Sequence, residues 1–143
     1  MKFFLDNCLS PYMARGLSEF ATLQRHEIVH LTTAGRFKAD TPDAEWLRTL
    51  GEEGEWIVLS GDDRITRSPA ERRAWHESGL TAFFFAPPFA SMGYWKQAAV
   101  LVEWFPRIAA EARSAPTGVG YSIVAKAKDM KLIYAPAAAS KRK

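Results

Sequence analysis

Cysteine is almost missing from this chain: Cys8 stands alone among 143 residues. One thiol excludes an internal disulfide framework and fits a reducing cytosol, so the fold must rest on its apolar core. Long apolar runs are lacking too, and none approaches the roughly 18 residues that a membrane helix needs. The opening Met1-Lys2-Phe3-Phe4-Leu5 has a basic start, but Asp6 ends its apolar run too early for a secretory signal. Nor does one sign of charge dominate. The net charge is +3, yet Lys141, Arg142 and Lys143 supply that excess, and without them 16 basic residues face 16 acidic ones. The body of the chain is neutral, so any phosphate-binding surface must be local. Internal repeats and dividing linkers are absent as well. One domain is therefore expected over residues 1–134, followed by a disordered basic tail over 135–143.

What the chain does have is apolar content of 48% and five tryptophans, enough for a compact core at this length. Its centre is Trp56–Asp63, Trp-Ile-Val-Leu-Ser-Gly-Asp-Asp. Such an unbroken apolar stretch fits a strand buried on both faces of a parallel sheet. It stops in a small turn with two adjacent carboxylates. Lys2-Phe3-Phe4-Leu5 repeats the pattern in short form, and Asp6 follows at once. Open α/β sheets place their chemistry in the crevice beyond the strand tips.

Ser10-Pro11, Thr41-Pro42 and Ser68-Pro69 each join a capping hydroxyl to a proline suited to the first helical turn. Ser68 and Glu71 add the spacing of a capping box. These signals predict helices over about 11–22, with Met13, Leu17 and Phe20 on its inner face, from Pro42 to about Glu53, and to about Ser78. A longer helix is expected from about Ser91, kinked or restarted near Phe105 by Pro106. Strands are expected at His26–Leu31 and Leu80–Phe85, and a closing antiparallel hairpin at Val119–Ala125 and Met130–Tyr134. The resulting β-α-β-α-β-α-β-α order predicts a mainly parallel sheet with helices on both faces.

Asp43 and Glu45 open the second helix. On a helical wheel Trp46, Leu47 and Leu50 mark the buried face; Asp43 falls in its middle and Glu45 nearly opposite. An acid on that face needs a partner. The start of this helix lies at the same sheet edge as Asp6 and Asp62, so all three carboxylates can converge. Clustered carboxylates resist ionisation unless a cation sits between them. Oxygen ligands without His or Cys select Mg²⁺ or Mn²⁺, which activate water and orient phosphates. The bland readings are a helix-terminal acid for Asp43, a solvated face for Glu45, and turn chemistry for Asp6 and Asp62. Asp63 is either a further site acid or the turn residue proper.

Phe3-Phe4-Leu5-Asp6-Asn7-Cys8-Leu9-Ser10-Pro11, Asp43-Ala44-Glu45-Trp46-Leu47 and Ser60-Gly61-Asp62-Asp63, in this order, resemble the PIN-like domain family. That family includes the VapC-like toxins of type II toxin–antitoxin pairs. The resemblance covers Lys2–Phe85 and is loose beyond Ala86. It implies a three-layer α/β/α fold and a Mg²⁺- or Mn²⁺-dependent ribonuclease. It places the metal acids on Asp6, on Asp43 or Glu45, and on Asp62, with Asp63 in reserve. The partners it implies are an RNA substrate and an antitoxin protein; a second copy of the chain is a further candidate. Two other classes fit less well. A receiver-like regulatory module would need a lysine at a later strand end, and Leu80–Pro88 has none. A PIN-like fold kept only for protein binding is the other.

Around the acids, Ser60 is a candidate to orient a metal-bound water, and Asn7 to hold a ligating carboxylate. Arg64 and Arg67 are candidates to grip RNA phosphates, with weaker claims for Arg36 and Lys38. Cys8 has no visible His–acid pairing that would make it a nucleophile, and His26, His30 and His76 lack metal-ligand spacing. The tryptophans are expected in the core, with Trp95 and Trp104 as candidates for a partner interface.

Overall fold

A computed structural model describes residues 1–63 and 68–135. Arg64, Arg67 and residues 136–143 of the tail lie outside the described residues. Strand β1 (Lys2–Leu5) leads to helix α1 (Pro11–Thr22), then β2 (Glu27–His30), α2 (Asp43–Glu53), β3 (Trp56–Ser60), α3 (Pro69–Ser78), β4 (Thr81–Phe85), α4 (Tyr94–Ser114) and the hairpin β5 (Gly120–Val124) and β6 (Asp129–Tyr134). The six strands form one sheet in the order β2-β1-β3-β4-β5-β6. All neighbours pair in parallel except β5 and β6, which close the sheet antiparallel.

Strand alternation divides the core into two. Phe3, Leu5, Ile57, Leu59, Phe83 and Phe85 pack with α1 and α4 on one face. Phe4, Trp56, Val58, Ala82 and Phe84 pack with α2 and α3 on the other. The expected three-layer α/β/α architecture follows, because every residue of β3 and β4 is buried. Trp46 and Trp75 bind the second face together. Trp46 lies 5.0 Å from Phe4 and 5.5 Å from Trp75, and Trp75 lies 4.8 Å from Phe84 between ring centres. Among the described residues no helix is long and apolar enough to cross a membrane.

Two of the three helix starts form as the sequence predicts. Ser10 accepts from the Tyr12 N–H, and Ser68 accepts from the Glu71 N–H. Gly79 then ends α3 at φ 71°, where a side chain would be strained. The start of α2 differs. Pro42 is its N-cap and no side chain caps it, so Thr41 lies one residue too early for the capping role. The long helix differs twice. It begins at Tyr94 after a short 3₁₀ turn at Phe89–Ser91, and it runs through Pro106 without a break. Pro106 and Val102, whose carbonyl the proline leaves without its helical donor, both lie on the exposed side of α4, so water can take that bond.

Phe20 is a third difference, being 68% exposed. The buried residues of α1 are Met13, Ala14, Leu17 and Ala21, an arc whose centre lies about 75° around the helix from Phe20. The two interface candidates separate: Trp95 is 82% exposed, whereas Trp104 is buried in the core beside α1.

Candidate active site at the carboxyl edge of β1 and β3

The chain leaves β1 to one side to form β2, then crosses back over β1 to form β3. The two strands therefore flank the point where the winding reverses, and loops diverge there to leave a crevice. β1 ends on Asp6 and β3 on Ser60-Gly61-Asp62. The ladder keeps these ends level, since Leu5 pairs with Leu59 and the Asp6 N–H donates to the Leu59 carbonyl at 3.1 Å. By strand alternation Asp6 shares the face of Phe4, and Ser60 that of Val58, which is the face covered by α2. The acid of α2 thus comes over the same side of the sheet.

Asp6 is the most enclosed of the acids, only 3% exposed. Its carboxylate accepts from the Cys8 N–H at 3.0 Å, closing a tight turn, and also from the Gly61 N–H. Burial raises its pKa from an ordinary 3.8 to about 6; the Ser60 hydroxyl and the two backbone N–H groups oppose the rise, and the negative charge of Asp43 adds to it. Ser60 is fully buried, and its hydroxyl also donates to the Asp62 carbonyl at 3.2 Å.

Asp43 is half-buried at the first residue of α2, and Glu45 is exposed, as the wheel predicts. Trp46, with no exposed surface, donates its indole N–H to the Asp43 Oδ1 at 3.2 Å. The buried indole needs an acceptor, and one helical turn supplies it. Burial raises the pKa of Asp43, and this hydrogen bond works against the rise. Glu45 instead lines a separate cleft with Arg36, Lys38 and Asp40. Asp62 belongs to the same electrostatic field: with Asp6 and Asp43 it pushes the Cys8 thiol up to about 12, burial being the largest cause. That thiol is held as S–H at neutral pH, the reverse of an activated nucleophile.

The remaining candidates are placed as follows. Asp63 is directed toward β5, where the Ser122 hydroxyl donates to its Oδ2 at 3.4 Å. Asn7 donates its amide to the Ala39 carbonyl at 3.1 Å, tying the turn after β1 to the loop before α2. It thereby positions the two acid-bearing loops against each other rather than holding a carboxylate. Arg36 pairs with Glu53 and lies over the Phe37 ring. His30 is buried and bonds the Leu9 carbonyl at 2.8 Å and the Thr32 hydroxyl at 2.9 Å. It holds the start of α1, a structural task. Among the described residues no three His, Cys, Asp or Glu side chains are grouped closely enough to hold a metal ion as they stand.

Gly61 is the site residue that the sequence reading passes over. A Cβ there would lie 2.7 Å from the Cys8 carbonyl oxygen and 3.2 Å from the Cys8 Cβ. The two acid turns can touch only because this residue has no side chain. The Ser-Gly-Asp-Asp string showed the glycine, but nothing local showed what it would meet.

A three-layer α/β domain with acids gathered at the winding reversal is a nuclease-type fold. A protein-family model described as PIN like domain matches residues 1–87, which include all five candidate acids. The chain belongs to the PIN-like domain family. No curated protein and no solved structure is similar enough to count as a match.

Proposed function

We propose that this chain is an endoribonuclease dependent on Mg²⁺ or Mn²⁺, with Asp6, Asp43 and Asp62 as the residues that would hold the ion. The observation that carries the reading is the buried Asp6 carboxyl. It lies within the field of Asp43, in a setting that disfavours its charge, at the crevice where this fold places its chemistry. The donor set is all carboxylate with a hydroxyl beside it, which suits a hard divalent cation and not zinc. When bound, such an ion supplies a water acidic enough to attack a phosphodiester near neutral pH. Asp6 would be drawn fully into its charged form, Asp43 would stay ordered by Trp46, and Ser60 would fix the turn that carries Asp62. Because the three acids are not grouped as they stand, binding would have to draw them together. The family match supports this reading over a receiver-like module, although the strand order is one that such modules share.

Purified protein is expected to cut single-stranded RNA with Mg²⁺ or Mn²⁺ and to stop when EDTA is added. Cleavage by pure protein that persists in EDTA would show that the carboxylates do not act through a metal.

The biological role we infer is that of a VapC-like toxin restrained by an antitoxin protein. Support comes from the family and from the Asp6-Asn7-x-Leu-x-Pro opening. Expression of the wild type alone should arrest growth, whereas an Asp62→Asn variant at equal level should not. Equal growth of the two strains would remove the toxin reading and leave the nuclease assay to stand on its own.

A further inference from the structure

The layer opposite Asp43 ends in an aromatic patch that no function above uses. Tyr12 and Phe20 on α1 are 65% and 68% exposed; Tyr94 and Trp95 on α4 are 45% and 82% exposed. Between the two helices runs a groove of about 500 Å³. Gly16 forms part of its wall, and a Cβ built there meets nothing within 4 Å. A protruding indole therefore stands beside an open apolar slot on the same surface.

We propose that this face joins two copies of the chain about a two-fold axis, Trp95 of each copy entering the α1/α4 groove of the other. A two-fold interface must be complementary to itself, and a knob next to a hole meets that demand. The area also agrees. At roughly 200 Å² per aromatic side chain, the four exposed rings present about 500 Å² of apolar surface. A standard dimer hides about 800 Å² on each partner, of which about 65%, again near 500 Å², is apolar. Charge does not oppose the pairing. Arg15 and Glu19 on α1 and Lys96 and Glu103 on α4 are exposed beside the patch, so a second copy meets both signs. Arg15 also covers the Tyr12 ring, its guanidinium carbon 4.6 Å from the ring centre. Asp6 and Asp43 lie on the other side of the sheet, so pairing leaves both acid sites open.

Sedimentation of the full chain, without RNA or any other protein, tests the proposal. The wild type should run at twice its 16.0 kDa mass at concentrations above about 10 μM, as interfaces of this size bind with μM or tighter affinity. Trp95→Asp removes the knob, and Gly16→Leu fills the hole while favouring the helix. Each should sediment as a monomer, with a circular dichroism melt that shows a folded domain. The two variants act on opposite halves of the contact, so a folding failure in one leaves the other decisive. A wild type that stays monomeric at that concentration overturns the proposal and leaves the face to a different protein. A dimer that survives both substitutions overturns it too, because the copies then meet elsewhere.

Discussion

Stripped of metal at pH 7.5, an Asp6→Asn variant should melt about 5 °C above the wild type while cutting RNA more than 100-fold more slowly. The rise of the Asp6 pKa from 3.8 to about 6 corresponds to about 3 kcal/mol against the charged form. The amide removes that charge and keeps an oxygen for the Cys8 N–H. It also turns an NH₂ group toward donors that the second carboxylate oxygen served, which returns about 1 kcal/mol. About 2 kcal/mol remains, or about 5 °C for a domain near this size. The sign with pH follows from linkage. Because the folded pKa is the higher one, the native state binds more protons than the unfolded chain between pH 4 and 6. The stability that this proton gives is complete below pH 3.8 and is lost as pH rises through about 6. The advantage of the variant should therefore vanish near pH 4. Mg²⁺ should raise the wild type more than the variant, since only the wild type keeps the full ligand set. On the activity side, even partners one bond removed from a metal ligand cost 10–100-fold, so loss of a ligand should cost more. A variant that melts lower than the wild type in EDTA, with no response of either to Mg²⁺, would make Asp6 a turn residue and nothing else.

The second large effect should separate the two acids of α2. Asp43→Asn is expected to lower RNA cleavage by at least 10–100-fold, whereas Glu45→Gln should stay within a few-fold of the wild type. Asp43 adds to the field on Asp6, while Glu45 is exposed in the cleft beside Arg36 and Lys38. An asparagine at 43 can still accept the Trp46 indole N–H, so both variants should melt within a degree or two of the wild type. That matters, because it separates lost chemistry from lost packing. Initial rates at saturating Mg²⁺ would show the ranking directly. The opposite order would place Glu45 in the working site and leave Asp43 as the acceptor for Trp46 alone.

Much of this was legible in the residues. The apolar runs at Lys2–Leu5 and Trp56–Ser60, the hydroxyl–proline starts at Ser10 and Ser68, and the glycine stops are local signals, and local physics decides them. The same holds for the wheel that turned Asp43 inward and Glu45 outward, since one helical turn relates Asp43 to Trp46. What the sequence could not decide depends on the side of an element that meets another. Phe20 falls at the margin of the α1 arc, and only the way α1 seats on the sheet leaves it exposed. Trp95 and Trp104 look alike along the chain, yet one points to solvent and the other into the core. Pro106 carries the signal of a break, but a proline on the exposed face of a long packed helix costs little enough to be carried through. Asp62 and Asp63 are neighbours of equal chemistry, and the reach of Ser122 from β5, 59 residues away, separates them. The contact of Gly61 with Cys8 is of the same kind. The sequence by itself determined the strands, the helices and the acids at their ends. The tertiary structure alone decided which acids face one crevice and which aromatics face water, because both depend on contacts between residues far apart in the chain.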